Sequence, residues 1–145
     1  MKRDREWYIN KAIEMSVCEK SKTIRTGREA YEVLKPYGLK EQEHFIVLNL
    51  NGAHEVLSIN VVAIGIVNKC VVHPREVFRK AIADNSSAVL LCHNHPSGQL
   101  EPSAEDRNIT TRLKEAGEII GIAVLDHIIV TKKGYYSFIE EGETL

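Results

Sequence analysis

The chain has 145 residues, 43% of them apolar and 27% charged, with 19 Lys and Arg set against 20 Asp and Glu for a formal net charge of −1. That length closes one hydrophobic core of ordinary size, and the balanced charge lacks the basic excess of a nucleic-acid or anionic-membrane binder. No stretch is apolar over the length of a bilayer span, and residues 1–20 are too charged for a secretory signal.

Three widely separated cysteines, Cys18, Cys70 and Cys92, suit buried thiols in a reducing compartment, which makes the cytoplasm the expected location. Residues 4–20 predict an amphipathic helix with Trp7, Tyr8, Ala12, Ile13 and Val17 on its apolar side and Trp7 as its packing anchor. A polar connection over 20–25 closes this N-terminal helical extension (residues 1–25), ahead of a domain over 26–145. Thr26-Gly27-Arg28-Glu29 reads as a capping-box start for a helix carrying Ala30, Tyr31, Val33 and Leu34, stopped by Pro36 and Gly38.

The pattern then turns to strands. Residues 45–50 read as one, Asn51-Gly52 as a hairpin signal, 56–62 as a second strand and 64–72 as a third with Gly65 as a bulge. Pro74 opens a helix holding Val77, Phe78, Ala81 and Ile82. Residues 87–92, Ser-Ala-Val-Leu-Leu-Cys, form a short apolar run with the look of a buried strand. Ser103-Ala104-Glu105-Asp106 starts a helix whose apolar stripe is Ile109, Leu113 and Ala116, ending at Gly117 or at Gly121. Strand material follows at 122–125 and 127–131, and a Lys133-Gly134 turn leads to 135–139. The sum is an α/β domain, a mixed sheet flanked by helices.

Between the buried strand and the capped helix lies the most informative block, His93-Asn94-His95-Pro96-Ser97-Gly98, followed by Ser103 and Asp106. Residues two apart in an extended chain point the same way, so His93 and His95 leave the strand end side by side. Asp106 falls in the first turn of its helix, where backbone N–H groups and the macrodipole favour the ionised carboxylate a metal requires. Two imidazoles and one carboxylate make three-quarters of a tetrahedral zinc site, and a water in the fourth position makes such a site catalytic. Ser103 reads as the N-cap, with a second role facing that water open to it.

Other patterns fail on spacing. An HNH nuclease spreads its residues over a ββα unit, and a zinc deaminase needs His-x-Glu with Cys-x-x-Cys, which is absent here. His44, His54 and His73 lack partners at ligand spacing and read as surface or turn residues. Asp126 and His127 read as structural, Asp126 tying down a turn and His127 on a strand. Arg75 reads as a partner for a carboxylate at a helix start.

These residues resemble the JAMM (MPN/JAB) metalloprotease superfamily and, within it, the RadC-like branch. The resemblance rests on Val72-His73-Pro74-Arg75-Glu76-Val77-Phe78, the His93–Gly98 block, Pro102-Ser103, Asp106 and Leu125-Asp126-His127-Ile128-Ile129-Val130, and spans about residues 27–142. Asn94 between the histidines is the RadC-like form, where wider JAMM proteins more often carry Ser. The resemblance implies a three-layer, cytidine-deaminase-like architecture and a catalytic glutamate at the start of an early strand. Glu43 matches that glutamate, with Glu41 the alternative if the strand register differs by two and Glu55 a distant third. A carboxylate near a zinc-bound water is also what hydrolysis requires, to take its proton and pass it to the leaving amine.

The expectation is therefore one Zn2+ per chain held by His93, His95 and Asp106, with Glu43 as base and Ser103 as oxyanion donor, hydrolysing a peptide or isopeptide bond in a peptide or protein substrate. The specificity would lie in loops such as 99–102. The alternative is a metal-stabilised interaction module serving DNA transactions without peptidase activity. A third is a zinc hydrolase of a non-peptide substrate. No membrane association and no strong nucleic-acid binding are expected.

Overall fold

In β1 (His44–Leu50) every residue is buried, and the two sides of the strand serve two different cores. Ile46, Leu48 and Leu50 point to one side and Phe45 and Val47 to the other, as the two-residue period of a strand demands. A strand buried on both faces requires covering layers above and below it. The computed structural model, which describes residues 3–18, 22–65 and 72–145, supplies them.

The sheet has the order β2-β1-β3-β4-β5, with β2 Val56–Ile64, β3 Ala88–Asn94, β4 Ala123–Val130 and β5 Tyr135–Ser137. All neighbours are antiparallel except β3 and β4, which run parallel. That parallel pair needs a crossover, and helix α4 (Ala104–Ile120) provides it. One core packs Ala30, Val33 and Leu34 of α2 (Gly27–Leu34) against Ile46, Leu48, Leu90, Cys92 and Ile128. The opposite core packs Val77, Phe78 and Ala81 of α3 (Pro74–Ala83), with Leu113 of α4, against Phe45, Val47, Val89 and Leu91. The result is three layers, helix–sheet–helix, around a mixed sheet.

Local signals set the helix boundaries. The Thr26 hydroxyl caps α2 by accepting from Glu29 N at 3.1 Å, while the Glu29 carboxylate accepts from Arg25 N rather than from the cap residue itself. A 3-10 turn, Lys35–Leu39, then carries Pro36 and Gly38. Helix α4 passes through Gly117 and ends at Gly121, whose φ of 86° places it in the left-handed region. Gly117 is required for another reason: a Cβ there would lie 2.4 Å from the Ile122 carbonyl oxygen, where the chain folds back over the helix.

Four expectations need correction. In α1 (Arg5–Cys18) the inward residues are Ile9, which is buried, and the half-buried Ile13, an i, i+4 stripe. Trp7 and Tyr8 are 37% and 60% exposed and Ala12 is exposed. The Trp7 ring is covered by the Arg3 guanidinium at 4.1 Å instead of anchoring the helix. β2 runs to Ile64, past the expected end at 62, because bulges in the β1–β2 ladder absorb the irregularity and Gly65 bends the chain only after Ile64. Most of the expected 64–72 strand, together with Cys70 and the side chains of Val17 and Cys18, lies outside the described residues. The two segments at 122–131 are one strand, β4, with His127 inside it. Finally, His44 is not a surface residue. It is buried at the start of β1, with Nδ1 2.9 Å from the Gln42 carbonyl.

Candidate metal centre

β3 extends two residues beyond the apolar run, so His93 and Asn94 belong to the strand itself. The next residue, His95, continues the ladder, its N–H donating to the Val130 carbonyl at 3.1 Å. Strand geometry therefore places the two imidazoles together, Nε2 to Nε2 at 2.7 Å. Asp106 arrives from the N-terminus of α4 in a full capping box. The Ser103 hydroxyl accepts from Asp106 N at 3.0 Å, and the Asp106 Oδ2 accepts from Ser103 N at 2.8 Å. The Asp106 oxygens stand 3.2 Å from His93 Nε2 and 3.3 Å from His95 Nε2. The ligand atoms of all three residues lie within 4.8 Å of one another.

The hydrogen bonds define one ligating set of tautomers. The single hydroxyl proton of Thr110 goes to the Asp106 carbonyl at 2.7 Å. With that proton so placed, the 2.5 Å contact between Thr110 Oγ1 and His127 Nδ1 is donated by His127. His127 is wholly buried, and desolvation, followed by the nearby His93, holds its pKa well below the ordinary histidine value, so it is neutral and its Nε2 accepts. Across 2.8 Å that Nε2 faces His93 Nδ1, which is therefore the donor, and the lone pair of His93 is left on Nε2. His95 is set in the same way. Its Nδ1 donates to the Gln99 carbonyl at 2.7 Å, through a turn in which Gly98 takes a φ of 86°.

Both Nε2 lone pairs thus converge on a carboxylate. Three acceptors with no proton of their own between them repel one another unless a cation sits among them, a metal ion or, in its absence, a proton on an Nε2, which is the chemistry of a metal ligand set. The charge tuning agrees. Without a metal a proton stands in for that cation: burial opposes ionisation of Asp106, but hydrogen bonds from Nε2 of the His93 and His95 rings when protonated, the His93 charge and the Ser103 N–H overcome it and hold its carboxyl well below the usual carboxylate range. At His95, burial disfavours the cation, yet the Asp106 bond, the Gln99 carbonyl and the charges of Asp106 and Glu43 raise its pKa.

Glu43 precedes β1 on the same side of the sheet end, since Phe45 is the partner of His93 in the β1–β3 ladder. With Glu41, Gln42, Gly65, Pro96 and Ser97 it lines a cavity of about 300 Å3 beside His95. Glu41 is highly exposed and paired with Arg5 at 3.2 Å, on the side of α1. Glu55 stands beyond the far end of β1, 3.4 Å from the Asn51 amide, so a strand's length separates it from the histidines.

A family-level comparison matches residues 24–143 to the RadC-like JAB domain. The chain belongs to that family. It is 54% identical over 93 residues to a UPF0758 protein of Methanospirillum hungatei, covering 64% of this chain and 41% of that one. To the UPF0758 protein of Thermotoga maritima it is 50% identical, over 71% of this chain and 46% of the other. To that of Chlorobium phaeovibrioides it is 42% identical, over 85% and 56%. The chain thus spans about half the length of the curated relatives it matches. The RadC-like JAB assignment and the observed cluster agree on a JAMM-like domain with a candidate metal site. Among its described residues no helix is long and apolar enough to cross a membrane.

Within this RadC-like JAB domain, three residues at the site escaped sequence reasoning. His127 sits against Phe45 and stacks on Phe138 at 4.8 Å, locking the ring that orients His93. Thr110 joins it to the Asp106 main chain, and Arg107 grips Pro102 O and Glu143, fixing the approach to Ser103. The spacing of Asp106 and Thr110, one helical turn, is a local signal by which Thr110 could have been found. Asp126 does tie down a turn, its carboxylate accepting from His127 N, Ser137 Oγ and Ile139 N.

Proposed function

We propose that this domain is a zinc-dependent hydrolase that cleaves a peptide or isopeptide bond, with His93, His95 and Asp106 as the zinc ligands, Glu43 as general base and Ser103 as oxyanion donor. The observation that carries this reading is the pair of Nε2 lone pairs, each fixed by a hydrogen bond on the other ring nitrogen, converging on the Asp106 carboxylate. A bound zinc supplies Lewis acidity there and lowers the pKa of a ligated water from 15.7 to about 7.

The chain's own residues do the rest. Glu43 offers a carboxylate on the His95 side, where it takes the proton of the attacking water and returns it to the leaving amine. The Ser103 oxygen already accepts the Asp106 N–H, so its own proton is available for the oxygen of the attacked carbonyl as negative charge develops. His127 and Thr110 keep His93 in the ligating tautomer. The cavity next to Glu43 gives the substrate chain an approach. The buried, unbridged Cys92 is in keeping with a reducing, cytoplasmic setting.

The test is a digest of a peptide library and of isopeptide-linked conjugates by zinc-loaded protein, read by mass spectrometry beside Glu43→Gln. Cleavage that is lost on chelation and in Glu43→Gln, with zinc retained by that variant, is the expected result. Full zinc occupancy with no cleavage of any amide overturns it and favours the metal-stabilised interaction module.

A further inference from the structure

We propose that Asn94 is a positioning residue for Glu43, its carboxamide setting the main chain on which that carboxylate stands; this rests on the hydrolase reading above. Residues 40–43, between the 3-10 turn and β1, form neither helix nor strand. The main chain of such a strap depends on bonds from elsewhere in the fold. Asn94, fully buried on β3 between the two histidines, supplies three of them.

Its Oδ1 accepts from His44 N at 2.6 Å, and its Nδ2 donates to the Gln42 carbonyl at 2.9 Å and the Lys40 carbonyl at 3.4 Å. The Gln42 carbonyl belongs to the peptide plane before the Glu43 Cα, and the His44 N–H to the plane after it. One side chain thus grips both planes that determine the φ and ψ of Glu43, and so the direction of its Cβ. The second plane is held again at the Glu43 carbonyl, which accepts from Gly65 N at 2.9 Å.

A carboxamide is suited to this task because one short side chain both donates and accepts. The grip is braced from outside, since the Lys40 side chain is tied to Glu6 and Asn10 of α1. Because the same β3 segment carries His93 and precedes His95, the base and the ligands share one rigid reference. A displacement of about 1 Å in a reacting group is enough to cost on the order of 10²-fold in rate.

The experiment compares wild type, Asn94→Ala and Asn94→Asp for zinc per chain, amide hydrogen exchange and hydrolysis of the library peptide that wild type cuts best. Asn94→Asp keeps an acceptor for His44 N–H but removes the donor to the two carbonyls, and it serves if Asn94→Ala does not fold. Expected are zinc content as in wild type and exchange at the His44 or Gly65 amides faster by about tenfold relative to Leu91 and Ile128 in the core strands. The kcat should fall on the order of 10²-fold with KM nearly unchanged. Unchanged exchange at both amides, or zinc loss as deep as in His95→Ala, overturns the proposal. If wild type cuts nothing, the hydrolase reading fails on its own, while exchange and zinc content still decide whether Asn94 holds the strap.

Discussion

His93, His95 and Asp106 stand at the end of a strand buried between two cores and on a capped helix packed against one of them, whereas Glu43 stands on four residues with no regular structure. The ligand side takes its geometry from backbone ladders and a capping box, which exist whether or not a metal is bound. The strap side takes its geometry from side-chain bonds, those of Asn94 to its main chain and those of the Lys40 ammonium to the Glu6 and Asn10 side chains. The difference teaches that damage to the two sides should be separable: metal loss on one, rate loss with the metal kept on the other.

The largest effect expected on the ligand side is His95→Ala. Wild type purified without added metal should hold one zinc per chain and the variant should not, as elemental analysis will show; equal zinc in the two breaks the comparison at its root. On the strap side, Glu43→Gln keeps zinc and fold while turnover drops on the order of 10²–10⁴-fold. If Glu41→Gln is the inactive variant instead, the base lies two residues earlier in the strap.

Ser103→Ala sharpens the contrast, because Ser103 belongs to both sides. Loss of the cap should lower stability by about 0.5–2 kcal/mol, and loss of an oxyanion donor should raise the barrier by about 2.7–4 kcal/mol. A lowered Tm with unchanged turnover restricts Ser103 to capping.

His127→Leu should weaken zinc affinity by about 10–100-fold, the usual effect of removing the partner of a ligating histidine, as competition with a chromogenic chelator will measure. It should also change the pH dependence of the metal-free protein. The folded-state pKa of His127 is depressed, so as pH falls below about 6.5 the unfolded chain takes up a proton that the folded one refuses, and stability declines. Asp106 acts with the same sign further into acid: its contribution is present above its unfolded pKa of about 3.9 and is lost as pH falls. His95, with a raised pKa, runs the other way, adding stability at low pH that is lost as pH rises through its folded value. Urea midpoints between pH 7.5 and 5 should therefore show a shallower acid decline in His127→Leu than in wild type. An identical slope in both proteins would falsify the buried, neutral state assigned to His127.

The smallest effect expected is on nucleic acid. With 19 basic residues offset by 20 acidic ones, duplex and single-stranded DNA should bind only weakly at physiological salt. Submicromolar affinity there, measured by titration of labelled DNA across a salt series, would favour the interaction module.

The three ligand candidates were legible in the sequence because each depends on a short-range period. An imidazole at every second residue of a strand needs no tertiary information, nor does a carboxylate at the third position of a capped helix. The α/β class was legible for the same reason, since α2, α3, α4 and the paired strands all follow local hydrophobic and capping patterns. Where two apolar segments abut, as at 122–131, pattern alone divided what the ladder joins, because register belongs to the partner strand.

What only the tertiary structure decided are contacts between residues far apart in the chain. Ile129 is the partner of His93 in the parallel β3–β4 ladder, and that register carries His127, two residues away on the same face, to His93 Nδ1. The Asn94 bonds to 40–44, the seating of α1 on Ile9 rather than Trp7, and the burial of His44 arise the same way. The sequence by itself determined which residues can ligate a metal, because that is written in spacings of two and three residues. Which neutral side chains orient them and hold the strap was decided by packing across 34 to 54 residues of separation, where a polar group is buried only if the fold brings it a partner.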